Sequence, residues 1–166
     1  MEWTQAGAWT LKPRSCLLVF FAVFLFLASH AKAEGISAAQ YGDGRAEIAA
    51  VTTPHIGGSL RIYRRNGNQL VEIAALAGFS NHILGKSELG LSAIVSVGGQ
   101  WRMLVPDSTR SRLRLIAWDR GSIKVVAQCA IADLVTGPIQ IVSPAVVLVG
   151  IASGQQRIVP GDCPAN

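Results

Sequence analysis

Short runs rich in Val, Ile and Leu follow one another from residue 46 onward, and Gly, Asn, Asp or Pro interrupt them at intervals of about 8 to 12 residues. Such runs are too short for ordinary helices, and β-branched residues favour strands. No long amphipathic helical pattern occurs after residue 33. The pattern therefore predicts an all-β protein with strands at 46–52, 59–65, 69–76, 91–97, 101–106, 112–119, 122–131, 139–143, 145–152 and 156–160.

The first 33 residues have the three parts of a secretory signal. Lys12 and Arg14 form a basic region, and the apolar run at 16–28 is short for a bilayer core of about 30 Å. Ala31-Lys32-Ala33 then provides the small-x-small pattern of a cleavage site. We expect a signal helix that is cleaved near Ala33 and a secreted or periplasmic domain, 34–166, that meets the membrane only during export. An uncleaved anchor is the alternative.

The charge of the domain is mild. The whole chain carries a formal charge of +5, and residues 34–166 hold 12 basic and 9 acidic residues, which leaves +3. No basic run with interleaved aromatics occurs, so we expect no nucleic-acid partner. Arg110, Arg112 and Arg114 alternate and would share one face of a strand. They indicate a solvated sheet face or a patch for an anion or polysaccharide.

Two cysteines, Cys129 and Cys163, remain after the signal is removed. An even number in an oxidising compartment favours a disulfide, which would stabilise the fold by very roughly 3 kcal/mol in the chain-entropy model. Two separate thiols are the alternative, because spacing alone does not give geometry.

The strand pattern repeats at a period near 53 residues. Glu47–Val51 aligns with Arg102–Pro106 at an offset of 55, and Leu60–Tyr63 aligns with Leu113–Ile116 at an offset of 53. The hairpin signals Asn66-Gly67-Asn68 and Arg120-Gly121 follow in the same order. The copies span about 39–92 and 93–143, with a partial copy at 144–160; such a period is typical of propeller and other blade-like arrays.

The segments "GDGRAEIAAV", "GGSLRIYRRNGNQLVE" and "GFSNHILGKSELGLSAIVSVGGQWRMLV" resemble FG-GAP and VCBS-type repeats. This resemblance implies propeller blades similar to those of the integrin α head. Two to three blades are too few for a ring, which takes about 4 to 8. We therefore expect an incomplete β-propeller and leave open self-association, a compact form capped by its own termini, or a degenerate fragment of a longer ancestor.

The same resemblance implies a calcium loop of the form D-x-D-G-D-G. Read against "AQYGDG" at 39–44, only Asp43 remains as a ligand. Glu47 adds a carboxylate or occupies an exposed strand position, and the second copy has no carboxylate in its loop. Because calcium takes 6 to 8 oxygen ligands, we expect a turn without a cofactor; a surviving calcium site at Asp43 is the alternative.

Asn81 and His82 are the recognition candidates. They lie in a polar, Gly-bounded stretch between the copies, where a propeller would have a surface loop, and loop side chains often bind ligands. Local turn hydrogen bonds are the alternative use. Neither His55 nor His82 has a Cys, His or carboxylate at ligand spacing, so the sequence does not predict a zinc site.

No nucleophile elbow, P-loop, dinucleotide fingerprint or zinc-protease motif is present. A set such as Ser80, His82 and Asp107 would need tertiary proximity to act together. The aromatic residues Tyr63, Phe79, Trp101 and Trp118 are more typical of a core than of a sugar platform. We expect a non-catalytic binding or scaffold module for a protein or glycan. A small periplasmic hydrolase or lyase and a fragment without independent function are the alternatives.

Overall fold

The computed structural model describes residues 34–41, 45–119 and 121–166, with side chains from residue 47 onward. Eleven strands form three antiparallel sheets. The first sheet contains β1 (Glu34–Tyr41), β2 (Arg45–Thr52), β3 (Gly58–Asn66) and β4 (Gln69–Phe79). The second contains β5 (Ala93–Val97), β6 (Gln100–Pro106), β7 (Arg112–Asp119) and β8 (Ser122–Ala130). The third contains β9 (Val135–Ser143), β10 (Val146–Ile151) and β11 (Gly154–Ile158), and one 3₁₀ turn follows at Pro160–Asp162.

The predicted all-β class is confirmed, and every predicted run contains a strand. Both predicted hairpin turns are present, because Asn66 pairs with Gln69 and Asp119 pairs with Ser122. The pattern missed β1, whose Ala- and Ser-containing segment has few of the β-branched residues that mark strands. The predicted signal segment, 1–33, lies outside the described residues. Within the described ranges, no helix is long and apolar enough to span a membrane.

The second sheet lies in the middle, with an apolar core against each face. Alternation along its strands creates the two cores, because neighbouring side chains point to opposite faces. Met103 and Val105 face the first core, where they meet Leu60 and Ile62 of the first sheet. Leu104 faces the second core with residues of the third sheet such as Val149. The middle sheet is therefore buried on both sides.

The first and second sheets share an irregularity at matching positions. In the β3–β4 pair, Ile73 is the extra residue of a bulge between the partners of Ile62 and Tyr63. In the β7–β8 pair, Val126 is the extra residue between the partners of Leu115 and Ile116. The two bulges are 53 residues apart. A bulge turns the side chains that follow it, so Val125 packs on the first core whereas Ala127 lies in the second.

The C-terminal tail covers part of the outer edge of the second sheet. Gln128 and Asn166 donate their backbone N–H groups to the carbonyls of Pro164 and Val126, at 3.0 and 3.1 Å. Cys163 is joined to Cys129 in β8 by a disulfide bond, with Cα atoms 4.7 Å apart. An uncovered strand edge invites pairing with other chains, and the tail blocks this edge.

Candidate functional site

All connections that follow even-numbered strands lie at one end of the three sheets, which we call the loop end. The opposite end has connections of only two or three residues. Four of the five buried polar or charged residues found among the described side chains belong to the loop end: Ser80, Asn81, His82 and Asp107. The connections at the loop end are 53–57, 80–92, 107–111, 131–134 and 152–153.

Asp107 organises the turn between β6 and β7. Its Oδ1 accepts hydrogen bonds from Thr109 Oγ1 at 2.9 Å and from the Ser111 N–H at 3.0 Å. Its backbone carbonyl accepts from the Arg110 N–H at 2.9 Å. The turn holds Arg110 at φ 60°, a left-handed conformation that is uncommon for a residue with a side chain. The carboxylate is thus used to shape a turn that presents Arg110.

Ser80 connects this turn to the long connection 80–92. Its backbone N–H donates to the Pro106 carbonyl at 3.2 Å, and its hydroxyl donates to the His82 carbonyl at 3.4 Å. Arg110 Nη1 donates to the same hydroxyl oxygen at 3.4 Å. These contacts fasten the start of the connection to the second sheet.

His82 contacts His55 from the 53–57 connection. Its Nδ1 lies 3.4 Å from His55 Nε2, and its Nε2 lies 2.8 Å from the Lys86 carbonyl oxygen. Because a carbonyl oxygen only accepts hydrogen bonds, Nε2 carries the proton. His82 is buried and His55 is exposed. The histidines meet where the buried interior of the loop end reaches the surface.

An open groove of about 510 Å³ lies beside this histidine pair. Lys86 and Arg110 line it with Glu88, whose Oε1 accepts a 2.5 Å hydrogen bond from the Gly90 N–H. Arg110 Nε is buried and has no hydrogen-bond partner within the described part of the chain. The charged side chains of the groove are therefore more positive than negative. Ile83, Ser87, Thr136 and Ala152 complete its lining.

The recognition candidates Asn81 and His82 are buried, with 1% and 6% of their surface exposed, rather than lying on a surface loop. The hydrogen bonds of Ser80 to the second sheet hold the connection inward at these positions. The structure brings Ser80, His82 and Asp107 to the same end. They are not arranged as a nucleophile, base and orienting acid, since the His82 ring nitrogens contact His55 and Lys86, and Asp107 holds its own turn.

The calcium-loop alignment is only partly testable, because Asp43 lies outside the described residues. Ala39–Tyr41, which the alignment places in the loop, belong to β1 and pair with Arg45–Glu47 of β2. Glu47 is neither exposed nor placed as a ligand, and this corrects the sequence interpretation. It is 2% exposed, and its carboxylate bonds with Arg64 and the Trp118 indole N–H.

The alternating arginines do not form one solvated face, which corrects that interpretation. Arg110 lies in a turn, and only Arg112 and Arg114 belong to β7. Arg114 is half-buried, and its guanidinium carbon is 5.4 Å from the centroid of the Phe79 ring. The first sheet thus covers part of Arg114, whereas Arg112 is exposed.

Among the aromatic residues, Phe79 and Trp118 are core side chains, whereas Trp101 is 55% exposed.

Sequence reasoning missed the contact between His55 and His82. The two residues are 27 positions apart, one on the β2–β3 connection and the other on the β4–β5 connection, and no ligand-spacing rule covers such a separation. Across the described residues, no group of three or more His, Cys, Asp or Glu side chains is placed to hold a metal ion. The groove was also unpredicted, because it depends on how the second and third sheets meet.

Comparison with known protein families and with curated proteins finds no match to this chain.

Proposed function

We propose that the chain is an exported, non-catalytic binding module and that the groove at the loop end holds its ligand. The observation that carries this proposal is the pairing of Lys86 and Arg110 in one groove. The ligand class that suits such a groove is a glycan with acidic groups. Guanidinium and ammonium groups bind carboxylates, and Ser87 and Thr136 offer hydroxyls to sugar oxygens.

The burial of Asn81 and His82 supports a framework role for them in this binding site. Loops bind well when a rigid scaffold positions them. The turn at Asp107 and the bonds of Ser80 supply that rigidity, so Arg110 is presented in one orientation.

Binding of acidic and neutral oligosaccharides tests the proposal, measured by calorimetry with oligogalacturonate and an uncharged oligosaccharide of equal length. We expect oligogalacturonate to bind and Lys86→Ala to weaken that binding by about tenfold, a loss of about 1.4 kcal/mol. Lys124→Ala is the matched control, because Lys124 is an exposed lysine of β8 away from the groove. Equal binding by the two variants, or preference for the uncharged sugar, would contradict the proposal.

We further propose that the three sheets are blades of an incomplete propeller built from degenerate FG-GAP/VCBS-like repeats. Two observations support this: the bulges 53 residues apart, and the contacts of β1 with β5 and of β5 with β9, which bring the first strands of the sheets together. Of the arrangements that the sequence leaves open, we favour a compact form capped by its own termini over self-association. The C-terminal tail covers β8, and the outer face of the first sheet carries the partly exposed ion pair Arg61–Glu72.

Light scattering coupled to size-exclusion chromatography, with and without a calcium chelator, tests the assembly. We expect one chain per particle in both conditions. A stable dimer would favour ring completion by a second copy, and a calcium-dependent change would favour a functional site at Asp43.

Intact mass of exported protein tests the signal: we expect a chain that begins at Glu34, and a chain that retains Met1 would contradict cleavage.

A further inference from the structure

We propose that His55 and His82 form a two-histidine binding site for a divalent transition-metal ion of the zinc or copper class. Imidazole nitrogen is a preferred ligand of these ions. The site lies beside the groove but does not depend on the binding of a glycan there. Among the described residues these two imidazoles are the ligands that we assign, and water would complete the coordination.

The distance between the facing nitrogens fits this use. His82 Nδ1 and His55 Nε2 are 3.4 Å apart. Two imidazole nitrogens bound at about 2.0–2.1 Å to one tetrahedral ion are about 3.3–3.4 Å apart. The two nitrogens are thus spaced as two imidazole ligands of one tetrahedral ion would be.

The relative position of the rings agrees with the spacing. Their centroids are 5.0 Å apart and their planes are inclined by 62°. Two imidazole rings that both point at one tetrahedral ion have centroids about 5.2 Å apart. Two rings whose nitrogens point straight at each other, with the same 3.4 Å between those nitrogens, have centroids about 5.7 Å apart. The observed arrangement is close to the first geometry.

His82 also has the supporting hydrogen bond that metal-binding histidines use. Its Nε2–H donates to the Lys86 carbonyl at 2.8 Å, so Nδ1 is the ring nitrogen that faces His55 and would bind the ion. The Lys86 carbonyl is itself held, because the Lys86 N–H donates to the Ile83 carbonyl at 3.0 Å. The ring is therefore fixed in the tautomer that directs a ligand atom toward His55.

The second ligand is also on an ordered turn. The Ile56 N–H donates to the Thr53 carbonyl at 3.2 Å, which closes the turn that carries His55. His55 is exposed, so an ion from solvent reaches its imidazole without opening the fold. One ligand is thus buried and oriented, and the other is accessible.

Metal titration of the full chain tests the proposal. We expect one Zn²⁺ or Cu²⁺ per chain at this site, with affinity reduced by at least about tenfold in His55→Ala. Electron paramagnetic resonance of the Cu²⁺-loaded chain should show two nitrogen ligands in the wild type and one in the variant. Zn²⁺ should raise the melting temperature of the wild type, because an ion that binds the native state stabilises it.

Lys124→Ala is the control, since it changes an exposed side chain of β8 away from both histidines and should leave the titration unchanged. If His55→Ala lowers the melting temperature without metal, His55→Gln repeats the test with a polar side chain. Unchanged affinity in both His55 variants, or a single nitrogen ligand in the wild type, would overturn the proposal. Neither outcome bears on glycan binding, which Lys86→Ala tests separately.

Discussion

Trp118 donates its indole N–H to the carboxylate of Glu47 across the interface between the first and second sheets. The other carboxylate oxygen pairs with Arg64 on the neighbouring strand β3. The Glu47 side chain is only 1% exposed, so its charge depends on these two partners instead of water. This arrangement places one satisfied charge inside an otherwise apolar core.

Removal of the Glu47 carboxylate should destabilise the fold strongly. Glu47→Ala leaves the Trp118 N–H and a partly buried Arg64 without their acceptor and opens a space in the core. We expect the free energy of unfolding to fall by about 3 kcal/mol, as for other broken buried pairs. Urea unfolding followed by Trp fluorescence measures the loss. A change under 1 kcal/mol would mean that water replaces the carboxylate without cost.

Glu72→Ala is the comparison variant at an exposed ion pair of the same sheet. The Arg61 and Glu72 side chains are 35% and 40% exposed, so we expect a loss of no more than about 1 kcal/mol. The hydrogen bond that Arg61 donates to Glu72, and then the negative charge of Glu72, raise the pKa of Arg61 above its ordinary value.

A group whose pKa is raised by folding stabilises the folded state at every pH below its ordinary pKa. This contribution is lost only when the pH rises above that ordinary pKa. The part of the difference in free energy of unfolding between wild type and Glu72→Ala that arises from Arg61 should therefore stay constant between about pH 7 and 10. Urea unfolding at several pH values checks this. A difference that disappears by pH 10 would contradict the assignment of the interaction to Arg61.

The disulfide should stabilise the chain and hold its tail. Replacement of both Cys129 and Cys163 by Ser removes a link across 34 residues of sequence, and we expect a loss of about 3–4 kcal/mol. Amide hydrogen exchange should then become faster at Gln128 and Asn166, whose N–H groups bond between the tail and β8. Stability that is equal with and without a reductant would indicate that the tail pairing suffices alone.

Gly150 is required by close contact between β9 and β10. A Cβ at position 150 would lie 2.6 Å from the Cα of Gly137, which is a backbone atom and cannot rotate away. We expect Gly150→Ala to cost about 1–3 kcal/mol, the range typical of overpacking. Gly161→Ala is the matched control, because its Cβ would meet only Val97 Cγ1 at 3.8 Å. Similar melting temperatures for the two variants would contradict this.

The strands of this protein could be predicted because each is encoded locally. Val, Ile and Leu runs such as Val146–Ile151 are bounded by turn residues, and each hairpin needs only its own residues. The bulges at Ile73 and Val126 are 53 residues apart, which is the offset at which Leu60–Tyr63 aligns with Leu113–Ile116 in the sequence. The strand β1 escaped prediction because its small residues have little local preference.

The sequence by itself determined the β-strands and their turns, since these depend on neighbouring residues. Only the tertiary structure decided which side chains share a site. Glu47 became a core residue because Trp118 lies opposite it in another sheet, and His82 contacts His55 because the β2–β3 and β4–β5 connections meet at the loop end. Such pairings arise when sheets pack face to face, and no spacing along the chain encodes them.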